Sequence, residues 1–215
     1  MGPALRRLSR EEKKAQTRKR LLTSAEEVFV ERGFHGASVE EVAEREGFSI
    51  GAVYSNFEGK TDLLLALFEE HMTAQSDAYL DAFAAGGSLD ERVRGGAASW
   101  MQFLSEHPGY FPLYLEFAAH AAREPGIRHA LTERHRAFRR LFKDLIERGT
   151  IDLGFDPDPQ VAEEIAVLIS ALGAGLAIER LADPDETPDD LLGSLLTRVV
   201  RALARDWATE GGQGE

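Results

Sequence analysis

The sequence predicts an all-α protein in two unequal parts, a small N-terminal helical domain and a larger helical C-terminal one. Three observations carry that expectation. Apolar residues recur at helical spacing through most of the 215 residues. No stretch alternates apolar and polar residues with a period of two, and no Asn-Gly or Asp-Gly hairpin turn occurs. Charge divides along the chain: residues 1–20 hold eight Arg/Lys against two Glu, whereas residues 61–215 hold 14 basic and 27 acidic side chains, within a net charge of −12. Attraction for phosphate therefore belongs to the N-terminus, and the acidic excess to the larger part.

Residues 1–12 read as a basic, unstructured tail, because runs of like charge at a chain end repel. The first domain is expected over 13–60, where the apolar period begins with Leu21, Leu22, Ala25, Val28 and Phe29. Ser38 and Glu41 have the spacing of a capping box, which starts a short helix at Val39 with Val42 and Ala43 inward. Gly47 falls where the chain must reverse sharply, a turn a residue without Cβ enters without strain. Ser49 then caps a second helix, IGAVYSN, with Val53 and Phe57 inward. Two short helices across a glycine turn, over 39–58, form a helix-turn-helix, whose second helix docks in the DNA major groove; Ser49 to Asn56 is the candidate reading edge.

With Val39 as position one, Ala43, Gly47 and Val53 take the fifth, ninth and fifteenth places of a helix-turn-helix core. Residues 17–65 carry an F-x-x-x-G-F-type step, then SVEEVAEREG, then SIGAVYSNFEGK, and in these the chain resembles the TetR family of bacterial transcriptional regulators. Glu46, where the family usually has alanine, and Gly59, where a capping serine is common, depart from the pattern. The resemblance implies a homodimer on a palindromic double-stranded operator, with repression relieved by a small-molecule effector in the second domain. It also implies phosphate contacts from Tyr54 and Lys60, so the DNA-binding set is read as Thr17, Arg18, Ser38, Ser49, Ile50, Gly51, Ala52, Tyr54, Ser55, Asn56 and Lys60. Lys60 stands in the first turn of the next helix, where the macrodipole disfavours a cation, which suggests an anionic partner.

The second domain is expected over 61–209, with residues 210–215 an unstructured end. A long helix from Lys60 to about Phe83 should link the two parts, with Leu67, Phe68, Met72 and Tyr79 against the second domain. Gly86 and Gly87 end it. The next helix carries Gly95-Gly96, costly inside a helix at roughly 1 kcal/mol each, which suggests a bend or room for a ligand. FPLYLEFAAHAAR is a short helix; Pro125 opens a longer one that Gly149 should stop. The DPDP run at 156–159 is a turn leading into an apolar helix over 161–181, and ADPDETPDD at 182–190 is a loop before a final apolar stripe.

Trp100, Met101, Phe103, Leu104, Phe111, Tyr114, Phe117, His120, Phe138 and Phe142 fall in the region that surrounds the effector cavity in the resembling family, and favour an apolar or aromatic ligand. Glu116 and His120 share a helix face, to pair with each other, with solvent or with a ligand. The 161–181 helix is apolar around much of its circumference and must be covered on more than one side. A second copy can do so through Ile165, Leu168, Ile169, Leu172, Leu176, Leu192, Leu195, Leu196, Val199 and Leu203, as half of a four-helix bundle about a two-fold axis.

The chain has no cysteine, which excludes disulfides and thiolate metal sites and is compatible with a reducing cytoplasm. No metal or cofactor is implied. The first 20 residues lack the apolar core of a signal peptide, and the longest apolar run, 14 residues at 165–178, is shorter than the about 20 needed to span a bilayer, so no membrane partner is expected. Gly59-Lys60-Thr61 ends like a phosphate loop, but Tyr54 stands where that motif needs glycine, and no nucleophile elbow occurs, so no enzyme is expected. The alternative from another class is a helical ligand-binding or interaction protein that keeps the helix-turn-helix scaffold without reading DNA.

Overall fold

The computed structural model describes residues 9–151 and 159–210, with side chains described up to Gly149 and from Pro159 to Ala202. Among the described residues every regular element is a helix: α1 (Arg10–Gly36), α2 (Val39–Arg45), α3 (Ile50–Tyr54), α4 (Lys60–Ala84), α5 (Leu89–Glu106), α6 (Tyr110–Ala121), α7 (Pro125–Ile151), α8 (Pro159–Ala182) and α9 (Leu191–Glu210). The expectations placed on residues 1–8 and 211–215, on the first three residues of the DPDP turn and on the Leu203 side chain lie outside the described residues.

α1 begins within the expected unstructured tail, which is corrected for residues 9–12. Ser9 accepts a hydrogen bond from the Glu12 amide at 3.1 Å and donates its own amide to Glu12 Oε2 at 2.7 Å. That capping box satisfies two orphan donors, and Glu11 and Glu12 complement the positive end of the helix dipole. At its other end α1 turns at Gly33, whose φ of 69° admits glycine with little strain.

Contacts divide the chain into two compact units. The first runs to Glu70 and includes Pro112–Arg128; the second contains His71–Phe111 and resumes at His129. The boundary expected at residue 60 therefore falls inside α4. All six residues from Leu63 to Phe68 are buried, which completes the core that α1 (Leu21, Leu22, Ala25, Val28, Phe29) and α2 (Val39, Val42, Ala43) begin. Leu67 and Phe68, expected against the second domain, belong to this first unit.

In the second unit, glycines serve close packing. A Cβ on Gly95 would lie 3.3 Å from Ala82 Cβ, and one on Gly96 3.5 Å from Tyr79 Cδ1, so the pair lets α5 approach α4; this replaces the expected bend or ligand space. Gly149 does not stop α7, which continues to Ile151; a Cβ there would meet Phe83 Cζ at 2.8 Å. The core is Tyr79, Phe142, Leu145 and Ala166, with Phe83, Trp100, Phe138, Leu141, Ile146 and Ile169 packed on it. Trp100 Nε1 donates to Gly173 O at 3.2 Å, tying α5 to α8.

α8 is not buried all round. Ala162, Ile165, Ala166, Gly173, Leu176 and Ala177 face the chain's own core, while Val167, Leu168, Ile178 and Leu181 are exposed. At 24 residues it outruns the 14-residue apolar stretch and is long and apolar enough, by length and composition, to cross a membrane.

Candidate nucleic-acid interface and effector region

The helix-turn-helix is built by its caps. The Glu41 amide donates to Ser38 Oγ at 3.2 Å, and the Ser38 amide donates to Glu41 Oε2 at 3.0 Å. Gly47 turns the chain at φ 69°, and the Phe48 amide closes α2 by donating to Ala43 O at 2.9 Å. Ser49 Oγ accepts from the Ala52 amide at 3.2 Å and starts α3, which is shorter than the expected 50–56 because the Asn56 and Phe57 amides both converge on Val53 O. Val53 and Phe57 are buried as expected. Outward stand Ser49, Ile50, Gly51, Tyr54 and Ser55, while Ala52 and Asn56 are half-buried.

Several cations near this edge are held by the protein itself. Arg18 Nη1 donates to Asn56 O at 2.9 Å, with its guanidinium 4.3 Å from the Phe57 ring centre, so Arg18 braces the end of α3 from α1. Lys60 Nζ donates to His35 O at 3.2 Å and Ala37 O at 2.9 Å and lies 4.9 Å from the Phe34 ring centre. Two carbonyls at the joint between α1 and α2 thus give Lys60 a partner the dipole argument had not supplied. Arg20 pairs with Glu46 at 2.5 Å and lies over Phe48, which gives the departure at Glu46 a reason. Arg45 joins Glu27 and Glu31, and its hydrogen bond holds the Glu31 carboxyl below the usual carboxylate range. No sequence spacing announces these pairs, which join residues 14 to 38 apart. Arg10, Lys13, Lys14 and Lys19 are exposed, and Thr17 is half-buried.

The residues expected around an effector are divided between the two units. Trp100, Phe103 and Phe111 lie in the second unit, where Trp100 stacks on Phe103 at 5.5 Å between centroids and Phe103 meets Tyr110 at 4.9 Å; Met101 and Leu104 are buried there. Phe138 and Phe142 pack 4.9 Å apart against Tyr79, whose hydroxyl burial pushes its pKa up. Tyr114, Phe117 and His120 belong to the first unit. From Pro112 onward α6 sides with α1: Phe117, fully buried, meets Phe34 edge-on at 5.2 Å, His120 lies 5.0 Å from His35, and Tyr114 contacts Phe68 at 5.7 Å. Glu116, a candidate partner for His120 or a ligand, accepts from the Phe34 amide at 3.1 Å and the His35 amide at 3.3 Å.

The expected dimer face also divides. Ile165, Leu176, Leu192 and Leu196 are buried within the chain, because one side of α8 and of α9 is covered intramolecularly. Leu168 is exposed, and Ile169, Leu172, Leu195 and Val199 are half-buried. Val167, Ala171, Gly175, Ile178 and Leu181, exposed along α8, were absent from the expected face.

Residues 21–67 match the family model described as bacterial regulatory proteins, tetR family, and residues 89–205 match the C-terminal model of BetI-type transcriptional repressors. The chain is 28% identical over 184 residues to the HTH-type transcriptional regulator CymR of Pseudomonas putida, covering 84% of this chain and 87% of CymR. It is 31% identical over 110 residues to the HTH-type transcriptional activator FasR of Mycolicibacterium smegmatis, covering 51% of this chain and 48% of that relative. In fold it is similar to the fatty acid degradation regulator FadR of Bacillus halodurans, with a TM-score of 0.72 at 17% identity over 90% of this chain and 96% of that one. FadR of Bacillus subtilis, solved in complex with stearoyl-CoA, superposes with a TM-score of 0.68 at 16% identity, covering 84% of this chain and 96% of that one.

Proposed function

This chain belongs to the TetR family of bacterial regulatory proteins, and on that premise we propose that it is a homodimeric, ligand-responsive repressor, released from a palindromic operator by a small apolar or aromatic effector. The observation that carries the DNA reading is the outward edge of the helix-turn-helix: Ser49, Ile50, Gly51, Tyr54 and Ser55 face outward at the end of the chain that holds exposed lysines. Repression is supported by the match of residues 89–205 to a repressor model, although relatives include an activator. A partner copy is supported by the exposed apolar stripe of α8, where Ala171 and Gly175 leave room for a second helix to come close. An apolar effector is supported by the aromatic lining of the second unit and by the stearoyl-CoA in FadR, a protein of the same fold. In this reading the protein acts in the cytoplasm and catalyses nothing.

The test is selection of bound DNA from a random pool, followed by a screen for compounds that release it. A two-fold symmetric site bound by two chains and vacated on adding an apolar compound is the expected result. Enrichment of no sequence would refute operator reading and leave the alternative, a ligand-binding protein on an idle helix-turn-helix scaffold.

A further inference from the structure

Resting on that DNA-reading function, we infer that Ile50 determines specificity by packing against a thymine 5-methyl group in each half-site. The polar side chains of the reading edge are largely committed to their own backbone. Asn56 Nδ2 donates to Ala52 O at 2.8 Å, and its Oδ1 is buried without a hydrogen-bond partner. An amide so placed cannot make the bidentate contact that reads adenine. Ser49 Oγ accepts from the Ala52 amide, and Ser55 Oγ donates to Ala52 O at 2.8 Å. A serine hydroxyl, moreover, pairs with any base. Arg18, which would read guanine, is folded onto Phe57 and Asn56 O.

Tyr54, 54% exposed, is expected on phosphate, and the outward side chain left with discriminating chemistry is apolar. Ile50 is 45% exposed, beside Gly51, where a Cβ would meet only Ser49 Oγ at 3.8 Å, so a base edge can come close. A β-branched side chain on a helix is stiff at χ1, so little freedom is lost when it is packed. Of the four bases only thymine presents a methyl group in the major groove.

Deoxyuridine deletes that methyl and leaves every hydrogen-bonding group of thymine in place. In a selected operator, each thymine is replaced in turn by deoxyuridine, and affinity is measured for the wild type, Ile50→Val and Ile50→Ala. Burial of one methyl corresponds to about a fourfold change in affinity. One position per half-site is expected to lose about fourfold when substituted, and about fifteenfold when both half-sites are, in the wild type. The loss should shrink in Ile50→Val and vanish in Ile50→Ala, which changes an exposed residue and leaves the fold intact. Uniform tolerance of deoxyuridine, or a loss that persists unchanged in Ile50→Ala, overturns the inference while operator binding stands. A pool that yields no enriched sequence overturns the DNA-reading function and the inference with it.

Discussion

At the scale of single residues, the cations near the reading edge divide into those the fold uses and those left for phosphate. Lys60 has three N–H donors and gives two to the carbonyls of His35 and Ala37. The third is free of either carbonyl and available to a phosphate. Lys60→Ala should therefore weaken binding about equally across operator variants, make the salt dependence shallower by about one unit per chain, and cost about 1 kcal/mol of stability through the two unpaired carbonyls. Salt titration and thermal melting check the two effects separately; a lower melting temperature with an unchanged salt slope would leave Lys60 only its structural role. Glu91 gives a pH-dependent case. Its carboxyl accepts from the Ser88 amide and hydroxyl, which hold its pKa below the usual carboxylate range. The cap's stabilisation is present above that range and is lost as pH falls through the lowered value, so Glu91→Gln should flatten the acid limb of stability against pH. Such caps were legible: Ser38 with Glu41 and Ser49 are local patterns. The grips of Arg18, Arg20 and Glu116 were not, because their partners lie 38, 26 and 82 residues away and only the fold brings them together.

At the scale of elements, the joint between α1 and α2 is held by α6. Gly33 sits at φ 69°, and a Cβ there would lie 2.9 Å from Glu116 Oε2, the oxygen that receives the Phe34 amide. Gly33→Ala meets both the left-handed backbone and the carboxylate, and should destabilise by more than about 1 kcal/mol, measured by chemical denaturation. Glu116→Ala loses the Phe34 and His35 amide bonds in either background, so it should cost less beside Gly33→Ala than in the wild type by the part due to the clash, with the backbone strain unrelieved. A fully neutral Gly33→Ala would mean the turn is not held as described. The helices themselves were legible from apolar period and punctuation, to within a few residues. Which face each one buries was not: α8 reads as apolar around much of its circumference, and the choice of Ile165 and Leu176 for the core over Val167 and Ile178 depends on where α5 and α9 pack. Gly95 and Gly96 read as a bend or ligand space, and Gly149 as a stop, for the same reason, since a close neighbour leaves no mark in the local sequence.

At the scale of the whole molecule, the proposed dimer and its response to ligand give two separable outcomes. Ile178 is 48% exposed and Leu176 8%, two positions apart on α8. Ile178→Glu should yield a folded monomer by sedimentation, with the melting of the chain's own core retained, whereas Leu176→Glu should unfold it, since an unpaired buried carboxylate is costly. A dimer that persists in Ile178→Glu would move the interface off this stripe. Coupling to DNA is expected to run through α4, which begins six residues after Tyr54 and contributes Leu63–Phe68 to the first unit and Tyr79 to the second. A helix with buried side chains at both ends transmits a tilt, because packed cores switch between arrangements and do not deform smoothly. Ligand and operator need only favour different separations of the two reading edges; a coupling of about 1–3 kcal/mol gives a 5–150-fold change in affinity. Ser55→Cys, at an exposed position in a chain without native thiols, allows spin labels at both reading edges of the dimer. The distance distribution should shift when a releasing compound is added. Full release of DNA with an unchanged distribution would exclude the tilt, and would place the ligand's effect instead in the order of the helix-turn-helix, readable as a loss of amide protection at Val42 and Val53.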